Sequence, residues 1–506
     1  MKWKNRFCRL FGVAAVVALL ATPAFATSSR VTPEAGYGAH DYTIKTEHHE
    51  NQEETGIYEW YSGGLDVGYA ELAEFNNPGN PNNDGLLARV FVHQNSFSDV
   101  NTGDSWLETN LYTHTGEYVT TLADLGAAWP QCVKIIGEKV WFSYTGGSGP
   151  GFYSVPWHPD DLSQYPTEPQ LEVPDISYNW EVEERAADGK IFFCGLAGDS
   201  WDPPPPDPHS IYYIDQANGN VVKVLEVGGY SSGFAFDSEG NLWSGEYLLG
   251  WSPEMHILPC RLGMWTNAAV DAVIAGGEPL TWDDAAVVIE LGTRPGTELN
   301  WGPNDIEADP DGNIYVSLNT YDGWGENNEY GAVIQVYKDG EDYHTKYITD
   351  TDCTGNGNWD WHRGLAYDGN ADIDTGGYTD PAQLPAITGN RLYLDMDHNQ
   401  NDPESPDQVV GITIDDDYDA DGVPDSLDNA PETANAGQQD TDGDMYGNAC
   451  DADLDNDGQV FYSDYAIFGQ AWNNYNPDAD FDSDGQVFYS DYAIFGGRWN
   501  ETAPYY

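Results

Sequence analysis

A turn glycine followed by a short, strongly β-forming run recurs six times in this chain, and no other feature restricts the fold as much. Gly85 leads into Val90-Phe91-Val92, Gly137 into Val140-Trp141-Phe142, and Gly189 into Ile191-Phe192-Phe193. Gly240, Gly312 and Gly389 lead in the same way into Leu242-Trp243, Ile314-Tyr315-Val316 and Leu392-Tyr393-Leu394. Successive glycines are 52, 52, 51, 72 and 77 residues apart, so the last two intervals read as the same unit lengthened by loops. Further strand-like runs, such as Ser210–Asp215 and 221–227, lie inside the units. A unit of roughly 50 residues with four short strands is one blade of a β-propeller, because a twisted four-stranded sheet cannot cover both its faces alone. A sandwich or jelly roll would not repeat a turn and a strand at this period. The expected fold is therefore all-β: a six-bladed β-propeller over residues 57–414, or seven-bladed if residues 57–80 add strands of their own. Helical periodicity is nearly absent there, and the one expected helix lies around Thr266–Ile274.

The N-terminus reads as a leader. Lys2, Lys4, Arg6 and Arg9 precede an apolar run from Gly12 to Ala21, and Ala24-Phe25-Ala26 forms a small-x-small cleavage site. Residues 1–26 are thus expected to be a signal peptide and the product to be exported. No later stretch reaches the ~20 apolar residues of a membrane span. Residues 27–56, polar and carrying His48 and His49 between Glu47 and Glu50, are expected to be an exposed arm. Five cysteines remain after the leader (Cys132, Cys194, Cys260, Cys353 and Cys450), too few and too scattered for a disulfide framework.

A formal charge of −66 excludes nucleic acid and anionic membrane surfaces as partners, since the field repels both. Upstream the acids are scattered and read as solvated surface. From Asp415 onward they are patterned, with 22 acidic residues against one basic residue, Arg498, in 92 positions. Asp417, Asp419, Asp421 and Asp425 alternate around Gly422, Asp440, Asp442 and Asp444 alternate again, and Ala449-Cys450-Asp451 follows. Alternate carboxylates on an irregular backbone gather oxygens on one side, as Ca²⁺ needs with its six to eight oxygen ligands at about 2.3–2.6 Å. A disordered acidic linker would fix neither the spacing nor the glycines.

Two copies of DGQVFYSDYAIFG come next, at Asp457–Gly469 and Asp484–Gly496. Each completes a twelve-residue calcium loop. Asp453, Asp455 and Asp457 stand at positions 1, 3 and 5, Gly458 at 6, Gln459 with its carbonyl at 7, and Asp464 at 12. Asp480, Asp482, Asp484, Gly485, Gln486 and Asp491 repeat the set 27 residues later. Position 9 is phenylalanine in both loops (Phe461, Phe488), which leaves that place to water. Each loop runs into a short helix, with Ile467, Phe468, Ala471 and Trp472, or Ile494, Phe495 and Trp499, at helical spacing.

The stretch 415–452 resembles a pair of thrombospondin type 3 calcium repeats, departing in Ala430, where a cysteine is usual, and in Met445 for a glycine. A duplicated loop-then-helix unit over Asp453 to about Asn500 resembles a type I dockerin, here residues 453–506. That resemblance implies a cohesin-like partner on an extracellular scaffold, selected by loop positions 10 and 11, which are Tyr462-Ser463 and Tyr489-Ser490. Identical pairs imply two equivalent binding orientations. In the propeller, GPNDIEADPDGNIYVS (Gly302–Ser317) and SSGFAFDSEGNLWSGEY (Ser231–Tyr247) resemble blades of gluconolactonase-type and NHL propellers. The first of these families implies an axial divalent metal held by Glu, Asn and Asp, and Pro303-Asn304-Asp305 makes Asn304 the matching ligand. His362-Arg363-Gly364 and Ser231-Ser232-Gly233 stand where that family shows Pro-Asn-Gly, and its N-terminal Glu-Gly-Pro is missing.

No GxSxG, HExxH or phosphate loop occurs. For a polysaccharide lyase the candidates are His362-Arg363 beside Trp359 and Trp361, or His158 and His209 in loops. Trp251, Trp265 and Trp324 in inserted loops suit either sugar stacking or packing between blades. Three functions remain open: a tethered protein that binds polysaccharide or protein ligands, a carbohydrate-active lyase or lactonase, and a structural subunit of an extracellular assembly.

Overall fold

The computed structural model describes residues 38–43, 55, 57–70, 88–113, 116–126, 131–144, 149–177, 179–197, 209–250, 256–320, 330–340, 342–352, 362–368, 391–396, 408–414, 430, 433, 447–455, 459–474, 476, 479–481 and 485–500. Six antiparallel sheets make six blades. Their innermost strands are Ile57–Ala70, Val133–Ile136, Val182–Arg185, Tyr230–Phe236, Gly302–Ala308 and His362–Asp368. These six touch one another in sequence and return from the last to the first, which closes a ring around an axis.

The recurring β-runs are the second strand of every blade: Ala88–Asp99, Lys139–Tyr144, Lys190–Ala197, Leu242–Tyr247, Ile314–Asn319 and Arg391–Met396. Four of the turn glycines that precede them, Gly137, Gly189, Gly240 and Gly312, have φ between +58° and +90°, which side chains on L-residues resist. That turn is why the motif was visible. Ile57–Ala70 is the inner strand of blade 1 and pairs with Ala88–Asp99, so it founds no seventh blade.

The last blade is completed from the other end of the chain. His362–Asp368, Arg391–Met396 and Gln408–Thr413 supply three strands, and Gly38–Thr43 pairs antiparallel on the outside, Gly38 opposite Thr413 and Thr43 opposite Gln408. The segment expected to be an exposed arm thus contributes an edge strand, and the sheet core begins before residue 57.

Between neighbouring blades the filling is apolar and aromatic. Val90, Val92, Leu111, Val140 and Phe142 pack blade 1 on blade 2, and Trp243, Trp301, Ile306 and Val316 pack blade 4 on blade 5. The expected helix is α1, Asn267–Ile274, whose first turn is capped by Thr266 accepting from the Ala269 N–H. It buries Val270 and Val273 against blades 3 and 4 together with Trp265, which is fully buried and donates its ring N–H to the Thr281 carbonyl. Trp265 is a packing residue, not an exposed platform. Trp251, Trp324, Trp359 and Trp361 lie outside the described residues.

Past the propeller, α2 (Tyr462–Ala471) and α3 (Tyr489–Gly497) are the two expected short helices. Their core is Ala452, Val460, Phe468, Ala479, Phe481, Val487 and Phe495.

Candidate metal centres on the propeller axis and in the C-terminal module

The inner strands of the propeller carry acids to the axis. Asp66 in blade 1 accepts from its neighbour's N–H, Val67, at 2.8 Å and from the Ile135 N–H of blade 2 at 2.6 Å. Asp305 in blade 5 does the same with Ile306 at 2.9 Å and with Leu365 of blade 6 at 2.7 Å. In both, one carboxylate bridges two inner strands that share no sheet. Glu181 of blade 3 accepts from the Val182 N–H at 2.9 Å and from the Cys132 thiol at 3.5 Å.

One cation stands among them. The Lys134 ammonium of blade 2 is 2.5 Å from Glu183 Oε1 and also donates to Glu307 Oε1. Burial pushes the carboxyls of Asp66, Glu181, Glu183, Asp305 and Glu307 up, because an anion loses its water there, while the Lys134 charge partly opposes that rise. The same carboxylates hold Lys134 well above its ordinary value against its own desolvation. Backbones crowd close at this level. A Cβ on Gly233 would collide with Asp305, and one on Gly64, where φ is +76°, would lie 2.7 Å from the Cys132 carbonyl carbon.

Asn304, the residue matched to an axial metal, is half-buried at the bulge between Pro303 and Asp305. The carboxylates beside it are already committed to backbone N–H groups and to Lys134. That donor set fits an internal ammonium and does not fit an added divalent ion, so no step is assigned to an axial metal.

The acids of blades 1, 3 and 5 were missed in reading them as solvated surface. A signal existed: Glu181-Val182-Glu183 and Asp305-Ile306-Glu307 alternate acid and aliphatic with the period of a strand, which puts both acids of each trio on one face. Of the lyase candidates, His209 is fully buried in blade 3 and His158 is half-buried beside Tyr165, with ring centres 5.8 Å apart. They sit in different blades and form no common site. Only the backbone of His362 and Arg363 is described.

In the C-terminal module, Asp453, Asp455 and Asp464 bring carboxylate oxygens within 4.8 Å of one another, a group that could hold a metal. Asp464 is buried at the start of α2, accepts from the Phe461 N–H at 2.7 Å and the Asp455 N–H at 3.1 Å, and is pushed up by burial. In the second copy Asp480 and Asp491 are buried, Asp491 accepts from the Phe488 N–H at 2.8 Å, and Asp480 accepts from the Gly485 N–H at 2.9 Å. Gln459 and Gln486, at position 7 of their loops, are exposed. Asp451 caps the turn before the first loop, accepting from the Asp453 N–H at 2.9 Å. Asp457, Asp482 and Asp484, and the spacer ligands Asp417, Asp419, Asp421, Asp425, Asp440, Asp442 and Asp444, lie outside the described residues. Cys450 and Ala430 are both buried.

The two copies are tied to each other. The Asn473 N–H donates to the Val487 carbonyl and the Asn500 N–H to the Val460 carbonyl, both at 2.9 Å. Asn473 and Asn500 both adopt left-handed backbone, φ +64° and +72°. Trp472 packs on Phe488 and Tyr489 of the second copy, and Trp499 on Phe461 and Tyr462 of the first. Phe468 stacks on Phe495 at 5.1 Å between them. The arrangement is a pseudo-twofold in which each copy completes the other. Tyr462 and Tyr489 stay 70% and 77% exposed, with Ser463 and Ser490 beside them.

The sequence pattern of the thrombospondin type 3 repeat matches residues 411–438 and 439–464. Its second unit takes in the first calcium loop, Asp453–Asp464, which the sequence reading gave to the following module. No curated protein matches the chain. Among solved structures, a putative gluconolactonase is 12% identical over 76% of this chain and 94% of its own, with a TM-score of 0.34. The Penicillium chrysogenum alpha-L-arabinanase complexed with arabinobiose is 11% identical over 69% and 98%, TM-score 0.37. A putative TolB from Agrobacterium tumefaciens is 13% identical over 63% and 92%, TM-score 0.32. These are likenesses of outline and carry nothing about activity. The six sheets and their ring of inner strands make the chain a β-propeller followed by calcium-type repeats.

Proposed function

We propose that this chain is an exported propeller protein held on an extracellular scaffold by its C-terminal module, which Ca²⁺ stabilises and a cohesin-like domain receives. The observation that carries this reading is the pseudo-twofold itself: it turns Tyr462-Ser463 and Tyr489-Ser490 outward at the starts of α2 and α3, as two copies of one exposed surface. A module built only to stiffen the tail gains nothing from leaving two tyrosines in water. The propeller is then the cargo, and a polysaccharide is its ligand class, a role that rests on the dockerin-like character of the module.

The test measures binding of the full chain to a panel of cohesin domains, with and without a calcium chelator. Tyr462→Ala with Ser463→Ala, and Tyr489→Ala with Ser490→Ala, should each leave binding within about twofold, since the other face remains. All four substitutions together should abolish it, as should chelation. Undiminished binding by the fourfold variant, or no binding to any cohesin in calcium, would overturn the proposal. A glycan array run on the same protein tests the ligand class separately.

A further inference from the structure

We propose that Lys134 is the resident cation of the propeller axis, so that this ring is closed by one of its own side chains and not by a metal. The inference concerns the propeller alone and is independent of how the C-terminal module docks. It starts from the carboxyl groups of Asp66, Glu181, Asp305 and Glu307, buried around the axis on blades 1, 3 and 5, and of Glu183, half-buried beside them on blade 3. Such a cluster needs cations, protons or donors to persist away from water.

The structure supplies donors and one cation. Two backbone N–H groups satisfy Asp66, and two more satisfy Asp305. Glu181 accepts from the Val182 N–H and from the Cys132 thiol. The remaining pair, Glu183 and Glu307, flank the Lys134 ammonium from blades 3 and 5. Lys134 therefore joins three blades through one charge, which is what an axial divalent ion would do by coordination. A divalent ion entering here would face that ammonium at contact distance, and Coulomb repulsion between them in a poorly solvated site is large. The lysine stem also comes from the inner strand itself, so the charge is covalently tethered at the axis.

The neighbouring blades agree with this geometry. Blades 4 and 6 present Gly233 and Gly364 at this level, and Gly233 lets the Asp305 carboxyl approach its backbone. The acids thus alternate around the ring on blades 1, 3 and 5, with Lys134 on blade 2 between the first two.

The test counts bound divalent ions per chain by equilibrium dialysis with elemental analysis, on the full protein in excess Ca²⁺. The C-terminal ions are common to all variants and cancel in the comparison. Lys134→Met should bind one ion per chain more than the wild type, and Lys134→Met with Glu307→Gln should lose that extra ion. Asn304→Ala in the wild-type background should leave the count unchanged. An unchanged count in a folded Lys134→Met variant would overturn the proposal, as would a loss of one ion on Asn304→Ala. Should Lys134→Met not fold, the wild-type propeller's melting transition decides. Insensitivity to a strong chelator supports the internal cation, and a drop of several degrees in that transition refutes it.

Discussion

Asp66 and Asp305 do the same work in blades that are not neighbours: each carboxylate accepts one N–H from its own strand and one from the next blade. Asp66→Ala should therefore leave the buried Ile135 N–H without its acceptor and lower the unfolding free energy by about 2 kcal/mol, read by urea denaturation. Asp66→Asn, which keeps one acceptor oxygen, should cost less. Proton linkage gives a second expectation. The axial carboxyls titrate higher in the folded chain than in the unfolded one, so the folded state binds more protons and their contribution is greatest at low pH. It declines as pH rises from the ordinary carboxylate range through the raised folded values. In saturating calcium, the propeller's melting temperature should thus fall from mildly acidic to alkaline pH, and Glu181→Gln should flatten that slope. A melting temperature that climbs over the same range would contradict the assignment. At this scale little was legible in advance. Asn304 drew the eye because a family motif contains it, whereas Lys134, one basic residue among many acids, has meaning only when three blades converge on it.

Single elements were the most readable. The Gly turns before each second strand, the capped α1 and the two helices of the module all follow from local rules that tertiary packing did not overrule. The exception is the inner strand. Its bulges, at Glu59/Tyr61, Gly63/Leu65, Ser231/Phe234, Pro303/Asp305 and His362/Leu365, break the alternation that marks a strand, and its acids mimic a surface. In the module, Asn473 and Asn500 close the two copies on each other with left-handed backbone. Asn473→Gly should be nearly neutral there, while Asn473→Val should cost about 1–2 kcal/mol of module stability because a β-branched residue resists that conformation. Chelation should melt α2 and α3 together, seen as lost helical circular dichroism and new protease cleavage between residues 453 and 500. Independent loss of one helix would contradict the reciprocal closure.

For the molecule as a whole, the pairing that completes the ring was invisible in the sequence. Gly38–Thr43 meets Gln408–Thr413 across some 370 residues, and nothing in GAHDYT marks it as a partner of that strand. Deleting residues 38–43 should expose the edge of Gln408–Thr413, lower the propeller's melting temperature by several degrees and promote aggregation, all measurable by calorimetry and light scattering. Intact behaviour after deletion would show that the other three strands of blade 6 suffice. The same pairing decides how the protein answers a pull. The tail leaves the propeller from Gln408–Thr413, which is laced to Gly38–Thr43 on one side and to Arg391–Met396 on the other, six residue pairs each. A load along that strand meets a strand gripped on both flanks and must shear two ladders at once instead of peeling an edge bond by bond.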